Sequence, residues 1–282
     1  MKNYDIIVIG FGKAGKTLAV KAANLGKKVA VIEKSAQMYG GTCINVGCIP
    51  TKKLVNLSKE AQYVNNNVAG EYFTLSIEKK DALVSALRAK NFAMLDDNAN
   101  IDVINGTAKF IDKNSVEVTA IDGSKSLLAA QTIVINTGSI NEKPSFEVSS
   151  NFAYDSTGIL NLKTLPKHLV VVGGGYIGLE FASMFAEFGS KVTIVARSGV
   201  LKNEDEDVKE SVKALLQTQG VEILEGCEVK NLKDCALNFI QNGETKCLEA
   251  DAFLLATGRV AATSELNLSA AGVQTDAKGN VL

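Results

Sequence analysis

The 282-residue chain has one histidine, five cysteines, no dense patch of either charge and no long apolar run. Each scarcity excludes something. The single imidazole, His168 in "LPKHLVV", cannot build a histidine-rich metal site, so no stable metal site is expected. It reads as a loop residue leading into a strand, because a catalytic histidine needs a nearby partner. Thirty Lys and Arg stand against 31 Asp and Glu, scattered along the chain, for a net charge of −1. Phosphate binding needs a concentrated basic face, so nucleic acid is not an expected partner. No apolar run reaches the roughly 18 residues of a membrane helix, and "MKNYDIIVIGFG" runs straight into a strand with no signal peptide. The expectation is a cytoplasmic protein. Five cysteines do not make a secreted disulfide scaffold; in a reducing compartment a close pair is catalytic or metal-binding.

What is present is 46% apolar residues, enough for sizeable cores, in a length natural for two domains. "YDIIVIGFGKAGKTLAVKAANLGKKVAVIEK", residues 4–34, reads as strand, glycine turn, helix and strand. Gly10, Gly12 and Gly15 form G-x-G-x-x-G, and Glu33 ends the second strand 18 residues after Gly15. The first glycine permits the tight turn, the second lets a pyrophosphate approach the backbone, and the third lets helix and strand pack closely. Phosphates then sit on the helix N-terminus, and Glu33 can accept from a ribose diol.

The pattern returns in "HLVVVGGGYIGLEFASMFAEFGSKVTIVARS", residues 168–198, with Gly173, Gly175 and Gly178. Here the position 18 residues past the last glycine is Ala196, followed by Arg197. An arginine suits a ribose 2′-phosphate, so NADPH is favoured over NADH, with Lys202 adding charge; the alternative is a solvated residue at a strand end. "TIVINTG" and "AFLLATG" are apolar strands ending in Thr-Gly, late in each unit. Two such units imply two cofactors and electrons moving between them.

Between the units, "LVNLSKEAQYV" and "SIEKKDALVSALRAKNFAMLDD" are helical in composition. "IDVINGTAKFID", "SVEVTAID" and "SLLAAQTIVIN" read as short strands, and "QNGE" as a hairpin turn. "NLKTLPKHL" is the expected crossing into the second domain.

"MYGGTCINVGCIPTKK", residues 38–53, holds Cys43 and Cys48. Three readings compete. A structural disulfide would close a very short loop and stabilise little. Zinc needs about four ligands, and Cys227, Cys235 and Cys247 lie far along the chain, most simply as packing or surface residues. The redox reading fits the context: the pair follows the first unit, Gly40, Gly41 and Thr42 permit close approach of a cofactor, and a helix starting near Pro50 favours a thiolate.

"GGTCINVGCIPTK" resembles the active-site signature of the flavoprotein pyridine nucleotide-disulfide oxidoreductases. The resemblance covers the whole chain in order: "GFGKAG", Glu33, the cysteine signature, "GTAKF", "NTGS", "GGGYIGLE" and "ATGR". "GFGKAGKTLAV" and "YDSTG" look closest to the bacterial reactive-chlorine-resistance flavoproteins, a group linked to copper(II) and hypothiocyanite reduction. The resemblance implies an α/β fold of two Rossmann-like, three-layer dinucleotide-binding domains. Residues 1–150 would hold FAD and the cysteine pair, 151–268 would hold NAD(P), and 269–282 would begin a return to the FAD domain.

It further implies that Gly10, Gly12, Gly15, Glu33, Gly41, Thr42, Ala108, Thr137 and Gly138 line FAD. Gly173, Gly175, Gly178, Arg197, Val229 and Gly258 would line the nicotinamide nucleotide, with Tyr176 the ring that covers the flavin until the nicotinamide enters. Lys52, paired with Glu180, would sit near flavin N5, offering positive charge where reduction develops negative charge. Electrons would pass from NAD(P)H through flavin to the Cys43–Cys48 disulfide, Cys48 facing the flavin and Cys43 nearer the outside, attacking the acceptor as a thiolate. The acceptor would be Cu(II), hypothiocyanite or an oxidised sulfur species. A reductase for a small disulfide, a dihydrolipoamide dehydrogenase-like enzyme and a non-catalytic truncated dinucleotide-binding fragment are the alternatives.

The chain stops at "GVQTDAKGNVL". Family members continue into a second FAD motif and a dimerisation domain, which supplies a His-Glu acid–base pair to the partner subunit. The expectation is a truncated chain without that domain, although full-length members are homodimers.

Overall fold

The structure, a computed structural model, describes residues 1–61, 63–64 and 68–282. It divides into two compact units that interleave in the chain. The first comprises residues 1–49, 82–140 and 259–282, the second residues 50–81 and 141–258.

In the first unit a six-stranded sheet has the order β3-β2-β1-β6-β5-β4, with β1 Lys2–Ile9, β2 Val29–Glu33, β3 Ile101–Asn105, β4 Thr107–Asp112, β5 Ser115–Thr119 and β6 Lys125–Ile135. β3, β2, β1 and β6 run parallel; β5 and β4 return antiparallel. The buried half of β1 is apolar on both sides, as a covered parallel sheet requires. Val8 faces Phe11, Ala19 and Ala23 on the helical side, where α1 (Lys13–Asn24) packs. Ile7 and Ile9 face Phe110, Val116, Leu266 and Leu268 on the other. Helix, parallel sheet and antiparallel strands thus form three layers.

The second unit repeats this plan. Its five-stranded parallel sheet has the order 222–225, 191–196, 168–172, 252–255 and 153–154. Leu169 and Val171 pack against α5 (Tyr176–Phe188), while Val170 and Val172 pack against Leu232, Leu237 and Phe239 of the antiparallel strands 228–233 and 236–241. α6 (Glu206–Thr218) adds Leu216 to the helical layer.

The units differ from contiguous blocks for a packing reason. α3 (Cys48–Ala61) and the start of α4 (Ala69–Asp96) carry Leu54, Leu57, Phe73 and Ile77 into the core built on Phe181, Phe185 and Phe188. The Phe73 and Phe188 rings meet edge to face, centroids 5.1 Å apart. Residues 50–81 therefore fold with the second unit. Residues 259–282 fold with the first, where the Phe110 N–H donates to the Leu266 carbonyl at 2.9 Å. The helix expected over 54–64 ends at Ala61; Gln62 lies outside the described residues.

Candidate active site

In the first unit the fingerprint turn is shaped by glycine. Gly10 adopts φ +104°, and a Cβ there would stand 2.4 Å from the Asn136 carbonyl oxygen. The Asn136 side chain donates to the Gly10 carbonyl at 2.9 Å and to that of Gly12 at 3.3 Å, which fixes the turn. Glu33 is buried, and its carboxylate accepts from the Phe11 N–H at 3.0 Å and the Ser35 N–H at 3.1 Å. Each oxygen retains acceptor capacity for a ribose diol.

α2 (Gly41–Asn45) meets this turn. Gly41 has φ +75°, and a Cβ there would lie 2.6 Å from the Gly12 α-carbon. Two bare backbones are in contact, followed by the helix starts of α1 and α2. A cradle that side chains would fill, beside a fixed acid, fits a dinucleotide such as FAD. Thr42 follows Gly41 in α2, and Thr137 with Gly138 (φ +67°) follows β6. Ala108 is buried in the sheet core, so it offers a ligand its backbone only.

Cys43 lies inside α2 and Cys48 opens α3. Both are free thiols, and Cys48 stands near enough to Cys43 to affect its ionisation. Burial and then Cys48 push the Cys43 thiol above its ordinary range, while the Lys13 ammonium pulls the other way. Cys48 is exposed and Cys43 half-buried. Pro50 sits in the first turn of α3, where its missing N–H costs no helical bond.

Spacing alone did not reveal Asn45. Its side chain is buried; it donates to the Tyr39 and Gly41 carbonyls at 3.0 and 2.9 Å and accepts from Arg88 Nε at 2.8 Å. It fixes the loop between the cysteines. The only signal was a polar residue inside an otherwise apolar "CINVGC".

In the second unit, the Lys52 ammonium of α3 pairs with the Glu180 carboxylate of α5. A cleft of about 640 Å³ opens over the second glycine turn. Gly173, Gly175, Tyr176, Arg197, Val229 and Gly258 line it; Gly178 and Glu180 do not. Gly173 has φ +122°, with the Ala256 carbonyl oxygen 2.3 Å from where a Cβ would stand. Gly178 packs directly on the Gly173 carbonyl, so it shapes the turn from behind. The cationic residues Arg197, Lys202 and Lys143 also line the cleft, all exposed, and have no ion-pair partner among the described residues. Cys227 is buried at the cleft wall, where burial raises its thiol pKa; Cys235 and Cys247 are exposed.

The His168 ring is engaged at both nitrogens, with the Glu249 carbonyl and the Thr193 hydroxyl, each at 3.0 Å, and burial lowers its pKa. That is a structural role at the start of a strand. Among the described residues no group of three or more His, Cys, Asp or Glu could hold a metal ion, and no helix is long and apolar enough to cross a membrane.

Residues 4–282 match the family described as pyridine nucleotide-disulphide oxidoreductase. The chain is 45% identical over its whole length to the probable pyridine nucleotide-disulfide oxidoreductase RclA of Escherichia coli, of which it covers 62%. It is 38% identical to a mercuric reductase of Lysinibacillus sphaericus, over 99% of this chain and 53% of that one. Its structure superposes on the Cu(II) complex of the HOCl-induced flavoprotein disulfide reductase RclA of Escherichia coli with a TM-score of 0.92. There the identity is 42%, over 100% of this chain and 62% of the other. The chain thus spans about half to three fifths of the length of these two relatives.

Proposed function

The chain belongs to the pyridine nucleotide-disulphide oxidoreductase family, and from that premise we propose that it works as an oxidoreductase passing electrons from NADPH to the Cys43–Cys48 pair and on to an acceptor. The observation that supports this most is the placing of Cys43 in α2, two residues after the Gly12–Gly41 backbone approach, with Cys48 opening the next helix. Gly10, Gly12, Gly15, Glu33, Gly41, Thr42, Thr137 and Gly138 would hold FAD, with Ala108 contributing backbone. FAD, when bound, supplies the two-electron link between a nicotinamide and a disulfide.

The chain's own residues do the rest. The second glycine turn and the start of α5 receive the NADPH pyrophosphate. Arg197 and Lys202 receive the 2′-phosphate, which a ribose-gripping acid would repel. Lys52, oriented by Glu180, would supply the positive charge that favours reduction. Two electrons open the Cys43–Cys48 bond, and both sulfurs are left as thiol or thiolate.

We assign Cu(II) as the acceptor, by similarity to the relative whose solved structure is a Cu(II) complex. Two Cu(II) ions each take one electron, the S–S bond re-forms, and protons leave from the thiols. Hypothiocyanite or an oxidised sulfur species would instead be attacked by the Cys43 thiolate. The work fits a cytoplasm that supplies NADPH.

The test is anaerobic. FAD-loaded protein is oxidised, treated with NADPH and alkylated, and the modified cysteines are mapped by mass spectrometry. Two new thiols, at Cys43 and Cys48, are expected, and they disappear again when Cu(II) is added before the alkylating agent. A preparation that stays colourless after FAD addition, or gains no thiols, defeats the proposal and leaves a non-catalytic nucleotide-binding chain.

A further inference from the structure

Arg197 and Lys202 stand at the two ends of a short turn that is tied down on both sides. The turn follows the strand 191–196, and its Ser198, Gly199 and Leu201 line the second-unit cleft together with the two cations. On one side its backbone lies against the glycine turn. A Cβ on Gly174 would stand 2.6 Å from the Gly199 carbonyl oxygen and 2.9 Å from the Val200 α-carbon. The Leu201 N–H donates to the Gly174 carbonyl at 2.8 Å. Val200 and Leu201 are buried in the helical layer.

On the other side the tie comes from one acid. Glu225 ends the strand 222–225, beside Ala196 in parallel register. One carboxylate oxygen accepts from the Val200 N–H at 2.9 Å, and the other pairs with the Lys213 ammonium of α6 at 3.0 Å. Burial opposes ionisation of this carboxyl, but the Val200 N–H and Lys213 outweigh it and hold its pKa below the ordinary range. Among the described residues Glu225 forms no ion pair with Arg197 or Lys202. Its charge is answered by Lys213, and both cations stay available at the cleft.

We propose that Glu225 is a positioning residue for nucleotide choice: by holding the Gly199–Val200 turn it sets Arg197 and Lys202 on the ribose 2′-phosphate of NADPH. The inference rests on the cleft being the NADPH site. Two long cationic side chains close on one phosphate at a smaller entropic cost when the backbone between them is already fixed. NADH brings no phosphate to these cations. Slack in the turn therefore weakens NADPH binding and leaves NADH binding alone. Lys213 keeps the acid paired, so a negative charge behind the turn does not repel the ligand.

The experiment is a calorimetric titration of the full chain with NADPH and, separately, with NADH. Wild type is compared with Glu225→Ala, Glu225→Asp, Glu225→Gln, Arg197→Ala and the double variant Arg197→Ala/Glu225→Ala. Glu225→Ala weakens NADPH binding about three- to tenfold, the range for one hydrogen bond to a charged group at a partly exposed site, while NADH binding stays as in wild type. Glu225→Asp keeps the charge but ends one methylene short of the Val200 N–H, so it falls with Glu225→Ala. It carries the test if Glu225→Ala does not fold. Glu225→Gln keeps an acceptor of the same reach and stays near wild type. In the Arg197→Ala background the Glu225→Ala change costs less than in wild type. Equal losses for NADPH and NADH overturn the proposal and reduce Glu225 to a structural tie. So do Glu225→Gln falling with Glu225→Ala, Glu225→Asp matching wild type, or a full Glu225→Ala loss without Arg197. A wild type that binds neither nucleotide overturns the cleft assignment itself, and the inference with it.

Discussion

The Lys52 ammonium pairs with the Glu180 carboxylate, joining α3 to α5 across 128 positions of the chain. The Lys52 side chain is 68% exposed and that of Glu180 31%. Such a pair adds little to stability, about 0–1 kcal/mol. In the proposed reaction its value would lie in aiming a charge.

Lys52→Met should therefore slow NADPH-dependent opening of the cysteine pair in FAD-loaded protein by about tenfold or more, with Glu180→Gln slowing it less. The urea midpoint should barely move. Rapid mixing with thiol trapping measures the first and equilibrium unfolding the second. A lowered midpoint with an unchanged rate would make the pair structural.

The two thiols should react in order. In reduced protein, iodoacetamide should modify exposed Cys48 before half-buried Cys43. Alkylation needs the thiolate, and the Cys43 pKa is raised, so its rate should climb only at higher pH than for an ordinary thiol. Peptide mapping over a pH series, with Cys48→Ser as a control, reports both. In that variant the Cys43 profile should move toward lower pH, because one cause of its shift is gone.

Arg197→Ala should weaken NADPH binding about tenfold, the scale of one charge-assisted hydrogen bond, and leave NADH binding unchanged. Equal losses for both nucleotides would mean that Arg197 does not read the 2′-phosphate.

Gly41→Ala places a Cβ 2.6 Å from the Gly12 α-carbon at φ +75°. A strained backbone of this kind costs about 1–3 kcal/mol, and the shift it forces falls on the proposed FAD cradle. Both a lower urea midpoint and loss of FAD on gel filtration are expected. Retention of FAD would show that the contact is not needed for binding.

Lys80 is 3% exposed in α4. Its ammonium donates to the Leu160 carbonyl at 2.7 Å and pairs with Asp81 at 2.5 Å. Burial opposes ionisation of Asp81, but Lys80 and Lys163 outweigh it and hold the carboxyl below its ordinary range. A depressed carboxylate contributes stability that is present above its unfolded pKa, about 4, and is lost as pH falls through the folded value. The urea midpoint of wild type should drop more steeply than that of Asp81→Asn below about pH 4. Parallel pH curves would remove Asp81 as a source of acid sensitivity.

Glycine and periodicity made most of this fold legible in the sequence. Gly10 and Gly173 need positive φ, and the strands beside them are apolar on both faces, so both fingerprints fell where they were read. The "QNGE" turn joins the strands 236–241 and 244–249 as expected, with Asn242 and Gly243 both at positive φ. Long-range packing was not legible. Nothing local in Leu54 or Phe73 shows that they pair with α5 rather than with the strands nearer in sequence. The exposure of Cys43 and Cys48 depends on how α2 and the start of α3 meet. The bond from the Val200 N–H to Glu225 depends on a turn whose shape the spacing of residues does not encode.

The interleaving of the units also sets an order of assembly during synthesis. Domains commonly fold from the N-terminus as the chain emerges, but here the first strand must wait. All segments of the second unit have been made once Gly258 is added, whereas the first unit still lacks residues 259–282. Until those residues leave the ribosome, Ile7 and Ile9 have no Leu266 and Leu268 to close over them. The later unit can settle first, and the earlier one, carrying Cys43 and Cys48, closes last.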